Sequence, residues 1–111
     1  MSNLFIFRRY KKKQGKKNVK HPKLIVDEYL NEFGFMGLTS SPSKGRRHKN
    51  IPLDENPQII NGKRNSKKSY LRRKIEYDNK KNFHDVSSDY VLSDSDKRKI
   101  IPYVNKHKKK R

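Results

Sequence analysis

The sequence predicts a small α+β domain: a curved sheet or partly open β-barrel, with helices on its C-terminal side and flexible basic termini. Three observations predict it. Aromatic and β-branched runs come first in the chain and a capped helical segment comes last, the order of an α+β fold. Hydrophobic residues make up only 30% of the 111, enough for one modest core. Turn signals and basic runs separate the apolar runs. The expected organisation is one domain over residues 1–104, mainly β over 4–73 and mainly helical over 75–104, followed by a basic tail, 105–111.

"LFIFRRY" (4–10) reads as a strand, because aromatic and β-branched residues dominate it. A Lys-rich arm around Gly15 follows. Leu24-Ile25-Val26 is a continuous apolar run bounded by Pro22 and Asp27, the pattern of a fully buried strand, and 27–32 then reads as a hairpin connection. "FGFMGLTSS" (33–41) is the second buried strand. Its Gly34 and Gly37 point to a bulge, or to close approach by another backbone or a ligand. Leu24, Ile25, Val26, Phe35 and Met36 are the expected core.

Pro42 and Gly45 break the next segment into a loop, and "IPL" (51–53) returns as a short strand. Residues 54–68 form a long loop with a turn at Asn61-Gly62. A strand is expected at 69–73. The spacing of Leu71, Ile75 and Asp78 favours a short helix over 75–88. Ser93 is a helix N-cap with Asp96 three residues on, and Asp94 suits the positive helix end. Pro102 is expected to stop or kink that helix.

Thirty Lys and Arg face 11 Asp and Glu, a formal charge of +19. Self-repulsion of that size is relieved when a polyanion binds and releases counterions, so nucleic acid is the leading partner. No amphipathic basic helix with a large apolar face is visible, which argues against a membrane surface. There is no Cys, so disulfides and thiolate metal sites are excluded. No signal-like apolar segment and no run of about 18 apolar residues occurs, and a cytoplasmic protein is expected.

The four histidines, His21, His48, His84 and His107, show no paired metal-ligand spacing, and the chain lacks a phosphate-binding P-loop pattern. No metal or other cofactor is expected. Asp94 and Asp96 read as capping groups rather than a catalytic pair. The segment that offers chemistry is "FGFMGLTSSPSKGRRHKNIPL" (33–53). A rigid strand end presents Thr39 and Ser40, and Lys44, Arg46, Arg47, His48 and Lys49 follow on a loop. Hydroxyls can bond phosphate oxygens or a ribose 2′-OH, the cations can stabilise a pentavalent phosphorane, and an imidazole can move a proton near neutral pH.

"NVKHPKLIVDE" followed by "FGFMGLTSSPSKG" resembles the MazF/PemK/ToxN group of toxin endoribonucleases, over roughly residues 4–53. In that group a basic residue and a Pro open one buried strand, and a Thr-Thr or Thr-Ser pair with a following Lys ends another. His21 stands where MazF-like members carry Arg. The resemblance implies a small SH3-like barrel, often a homodimer. It also implies metal-independent RNA cleavage by attack of the 2′-OH on the adjacent phosphorus, and a neutralising antitoxin of protein or RNA. On that resemblance Lys44 and Arg46 stabilise the transition state, Thr39 and Ser40 contact the scissile phosphate, and His21 transfers a proton, with His48 its rival. RNA binding is assigned to Arg8, Arg9, Lys11, Lys12, Lys13, Lys16, Lys17 and Lys20 of the arm, and to Arg47 and Lys49 of the loop. Two other readings fit the composition. One is a non-catalytic basic RNA- or DNA-binding protein of a mobile element, with Phe5, Phe7, Tyr10, Tyr70, Tyr77 and Phe83 free to stack on bases or else filling the core. The other is a subunit that folds on a nucleoprotein partner.

Overall fold

The two most apolar segments of the chain are neighbours in sequence, and they pair with each other. In the computed structural model, which describes residues 4–11, 22–42 and 49–109, β2 (Lys23–Tyr29) and β3 (Glu32–Thr39) form an antiparallel hairpin. The connection is only Leu30-Asn31, shorter than the expected 27–32, because pairing continues through Tyr29 and Glu32. β1 (Ile6–Tyr10) lies on the far side of β2. β3 shares its other edge between two partners. β7 (Tyr70–Leu71) takes Leu38-Thr39, and β8 (Glu76–Asn79) takes residues 32–35. β4 (Ile51–Pro52) adds to β7, and β9 (Phe83–Val86) adds to β1.

The sheet order is therefore β4-β7-β3-β2-β1-β9, with β8 beside β7 on the same edge of β3. A separate hairpin joins β5 (Ile59–Ile60) to β6 (Lys63–Arg64) through the expected Asn61-Gly62 turn. After β9 the chain ends its regular structure in one helix, α1 (Asp94–His107).

Alternation along the strands gives the sheet two apolar faces. Phe7, Leu24, Val26, Met36, Leu38, Leu71, Ile51 and Leu53 pack with Ile100 and Val104 of α1 in the first core. Ile25, Phe33, Phe35 and Phe83 form a second core on the opposite face, with Leu4 and Tyr10 against it. The expected core residues Leu24, Ile25, Val26, Phe35 and Met36 are all buried. Full burial of side chains of this kind contributes roughly 1.5–3 kcal/mol each. Rings from β1, β3 and β9 meet in the second core: Tyr10 lies 5.2 Å from Phe35 and 4.9 Å from Phe83, centre to centre. Phe7, Phe83 and Tyr10 thus belong to the cores rather than to a base-stacking surface.

The expected α+β barrel with C-terminal helices is corrected here. Strand predominates, α1 is the only α-helix among the described residues, and the sheet is open. Its edge strands β8 and β9 pair with β3 and β1 and not with each other, although a 3₁₀ turn of only three residues, Lys80–Asn82, joins them. Side chains span the gap instead, as where the Tyr10 hydroxyl donates to Asp78.

The segment expected to be helical over 75–88 is this β8-turn-β9 unit. Period-two alternation wins there because Ile75 and Tyr77 both have seats on the first-core face: Ile75 packs on that core, and Tyr77 donates to Asp27 at 2.8 Å. Gly34 makes the seat. A Cβ at that position would lie 2.7 Å from the Tyr77 ring and 2.9 Å from Asp27 Cβ, and β2 is bulged between Ile25 and Asp27 directly opposite.

The helix start matches expectation. Ser93 accepts the Asp96 amide at 3.2 Å and donates to the Asp96 carboxylate at 3.0 Å. Pro102 does not stop the helix, which runs on to His107. The proline is exposed, so the carbonyl that loses its intrahelical partner faces solvent rather than the core. Residues 105–109 are correspondingly tied down. The Lys109 amide donates to Tyr77 Oη at 2.8 Å, and its ammonium lies 3.5 Å from Glu32.

Candidate nucleic-acid interface

β3 ends in Thr39, half-buried, and the chain bends at exposed Ser40. The Thr39 hydroxyl accepts the Ser41 amide at 3.2 Å, which fixes its rotamer and leaves its own proton to donate. Ser40 lies beyond the last paired position, so the two hydroxyls do not form a rigid pair. The chain returns to this point at residues 49–50. Asn50 donates from its backbone to Pro42 O at 3.0 Å and from its side chain to Ser41 O at 2.9 Å. These bonds clamp the base of the loop whose tip carries most of the expected catalytic residues.

The cationic run Arg72-Arg73-Lys74 is pinned beside that base. The Arg72 amide donates to Gly37 O at 2.8 Å, the Arg73 guanidinium donates to Lys49 O at 2.9 Å, and the Lys74 amide donates to Arg72 O at 2.8 Å. Arg73 also lies over the Tyr103 ring at 5.8 Å. All three side chains and Lys49 are exposed.

Gly37 sits on the second-core face, in line with Phe33 and Phe35, and pairs across the sheet with Lys23. Two cations converge over it. A Cβ built on Gly37 would lie 3.4 Å from Arg72 Nε and 3.5 Å from Lys23 Nζ. Being each so close to one point, the two groups are no more than about 7 Å apart, where unit charges repel by up to roughly 2 kcal/mol at an effective dielectric near 20. Water at exposed Arg72 reduces that figure. Burial lowers the Lys23 pKa from the ordinary lysine range, Glu76 opposes the shift, and Arg72 adds to it. Glu76 is itself shared, lying 3.6 Å from the Lys74 ammonium.

The expected site residues divide between this region and others. Thr39, Ser40 and Lys49 come together at the loop base. His21, Lys44, Arg46, Arg47 and His48 lie outside the described residues, as do Lys12, Lys13, Lys16, Lys17 and Lys20. Arg8 is the register partner of Lys23, but its guanidinium donates to His84 O at 3.1 Å and lies 5.2 Å over Phe33. Arg9 lines a separate cavity with His84, Asp85, Val86, Ser87, Ser88 and Asp89. Lys11 is exposed, with its amide donating to Asn82 O at 2.8 Å.

The sequence reading missed Arg72, Arg73 and Lys74 as site residues. Their only local signal is a run of cations after a short apolar pair. Among the described residues, no group of three or more His, Asp or Glu is placed to hold a metal ion. No helix among them is long and apolar enough to cross a membrane. Comparison with protein-family models, curated proteins and solved structures finds no match.

Proposed function

We propose that this protein binds RNA through the phosphate backbone, at the end of β3. The observation that carries the reading is the pinned run Arg72-Arg73-Lys74, held by main-chain and side-chain bonds against Gly37 and Lys49 beside the Thr39 hydroxyl. A net charge of +19 supplies the long-range attraction. Anchored cations give up less freedom on meeting a phosphate than cations on a mobile arm. The test is anisotropy of a labelled single-stranded RNA titrated with protein, beside DNA of the same sequence. The Lys49→Gln/Arg73→Gln/Lys74→Gln variant should lose at least about tenfold in affinity and about 2 in salt slope, at roughly 0.7 per phosphate contact. A Lys63→Gln/Lys67→Gln control, in the β5–β6 region, should lose much less. Equal losses in the two variants would reject the site.

Thr39 favours a second reading, metal-independent endoribonuclease activity. A half-buried hydroxyl held beside cations suits a scissile phosphate. The 2′-OH would attack phosphorus, give up its proton, and leave a 2′,3′-cyclic phosphate, while the departing 5′ oxygen takes a proton. His21 or His48 would carry the protons, and Lys44 and Arg46 the developing charge. A homodimer and a protein or RNA antitoxin belong to this reading. Incubation with a mixed RNA pool in EDTA tests it. Defined fragments with cyclic-phosphate ends should form and fall by about 10²–10³ in rate in Lys44→Ala, while binding changes little. Binding without any cleavage leaves the first reading alone.

A further inference from the structure

We propose that Lys23 and Arg72 form a seat for a single phosphate group, over Gly37 on the second-core face of the sheet. The inference rests on the RNA-binding reading for the molecule that carries the phosphate, and it assigns that reading a discrete position. The geometry is a convergence. Lys23 comes from β2, Arg72 follows β7, and both reach the one residue of β3 that has no side chain to hold them apart. Three strands fix the arrangement. Lys23 is paired with Gly37 in register, and the Arg72 amide is bonded to Gly37 O.

The charge count favours an anion. Lys23 faces Arg72 and Glu76, and the register partner Arg8 turns its guanidinium toward His84 and Phe33. Two positive charges thus meet one negative charge, and Glu76 also answers Lys74. Bringing like charges together in a half-buried place costs stability, and an anion between them recovers it. A phosphate suits the donors: a guanidinium edge binds two of its oxygens and an ammonium a third. Thr39, two residues on and on the same face, offers a hydroxyl proton to an adjoining oxygen. Both cations also lie close enough to Gly37 that even a methyl group would crowd Arg72, whose Cδ is 3.1 Å from the Cβ position.

The experiment is a titration of the full chain with inorganic phosphate, followed by amide and lysine side-chain NMR. Shifts at Gly37, Lys23 and Arg72 should saturate together. They should be absent in Lys23→Gln and in Arg72→Gln, with the second-core resonances of both variants unchanged. Proton and phosphate binding are reciprocal. Bound phosphate should therefore raise the pH at which Lys23 titrates, and phosphate affinity should decline at a pH below the ordinary lysine range as Lys23 loses its proton. Shifts spread evenly over exposed lysines, or a set at Gly37 that persists in Arg72→Gln, would overturn the seat.

The RNA arm separates the two readings. If wild-type protein binds single-stranded RNA with steep salt dependence and Lys23→Gln/Arg72→Gln matches it in affinity and slope, the seat is wrong and the RNA reading stands. If phosphate saturates the seat but RNA binds without salt dependence, the seat stands and the RNA reading is wrong.

Discussion

Asp96 shows how much a single side chain holds. It is fully buried, and its two carboxylate oxygens accept the Asp54 amide at 2.7 Å and the Glu55 amide at 3.1 Å as well as the Ser93 hydroxyl. The same residue thus caps α1 and fixes the chain leaving β4. Asp96→Ala should cost about 2–4 kcal/mol in urea unfolding, because it strands buried donors of a charge-assisted network. Asp96→Asn should cost less, since one acceptor oxygen remains. A loss below about 1 kcal/mol for the alanine variant would mean that water takes over these bonds. Half of this role was legible in the sequence. Ser93 and Asp96 are three apart, and a capping pair needs only local spacing. The amides of Asp54 and Glu55 are more than forty residues away in sequence, and no local pattern announces them.

Elements follow the same division between near and far. β2 and β3 were readable because each is a continuous apolar run, and buried strands leave that mark. β8 was not. Leu71, Ile75 and Asp78 keep helical spacing, and the strand wins only because Gly34, on another element, leaves room for the Tyr77 ring. Gly34→Ala should therefore act on β8. Its new methyl group meets ring and Cβ atoms inside 3.0 Å, and overpacking of this kind costs roughly 1–3 kcal/mol. Hydrogen exchange should quicken first at Glu76–Asn79 and at the Lys109 amide, which hangs on the Tyr77 hydroxyl. Faster exchange confined to the β5–β6 hairpin would contradict this. Pro102 carries a related lesson: the sequence marks a helix breaker, but not whether the lost bond faces solvent.

At the scale of the molecule, charge was the plainest message of the sequence and its placement the least plain. The Thr39 end of β3 could be picked out because hydroxyls and cations adjoin it in the chain. The meeting of Lys23 and Arg72 needs three strands in register, so neither residue stood out as half of a pair. The aggregate property is still testable. If single-stranded RNA covers about six phosphate contacts, the log–log dependence of affinity on salt should have a slope near −4, at roughly 0.7 per contact. A slope shallower than about −1 would remove nucleic acid as the main partner.

The open sheet has a consequence in time. β1 is among the first segments to be made, yet its outer neighbour β9 begins at Phe83, with about 70 residues intervening. At roughly 5–20 residues per second, synthesis leaves that edge of β1 without its partner for about 4 to 15 seconds. Pairings of such long sequence separation also close slowly once the chain is complete. During that interval the nascent protein carries a bare strand edge. Its Arg8 and Arg9, followed by Lys11, give that edge the charge that discourages strands of neighbouring chains from adding to it.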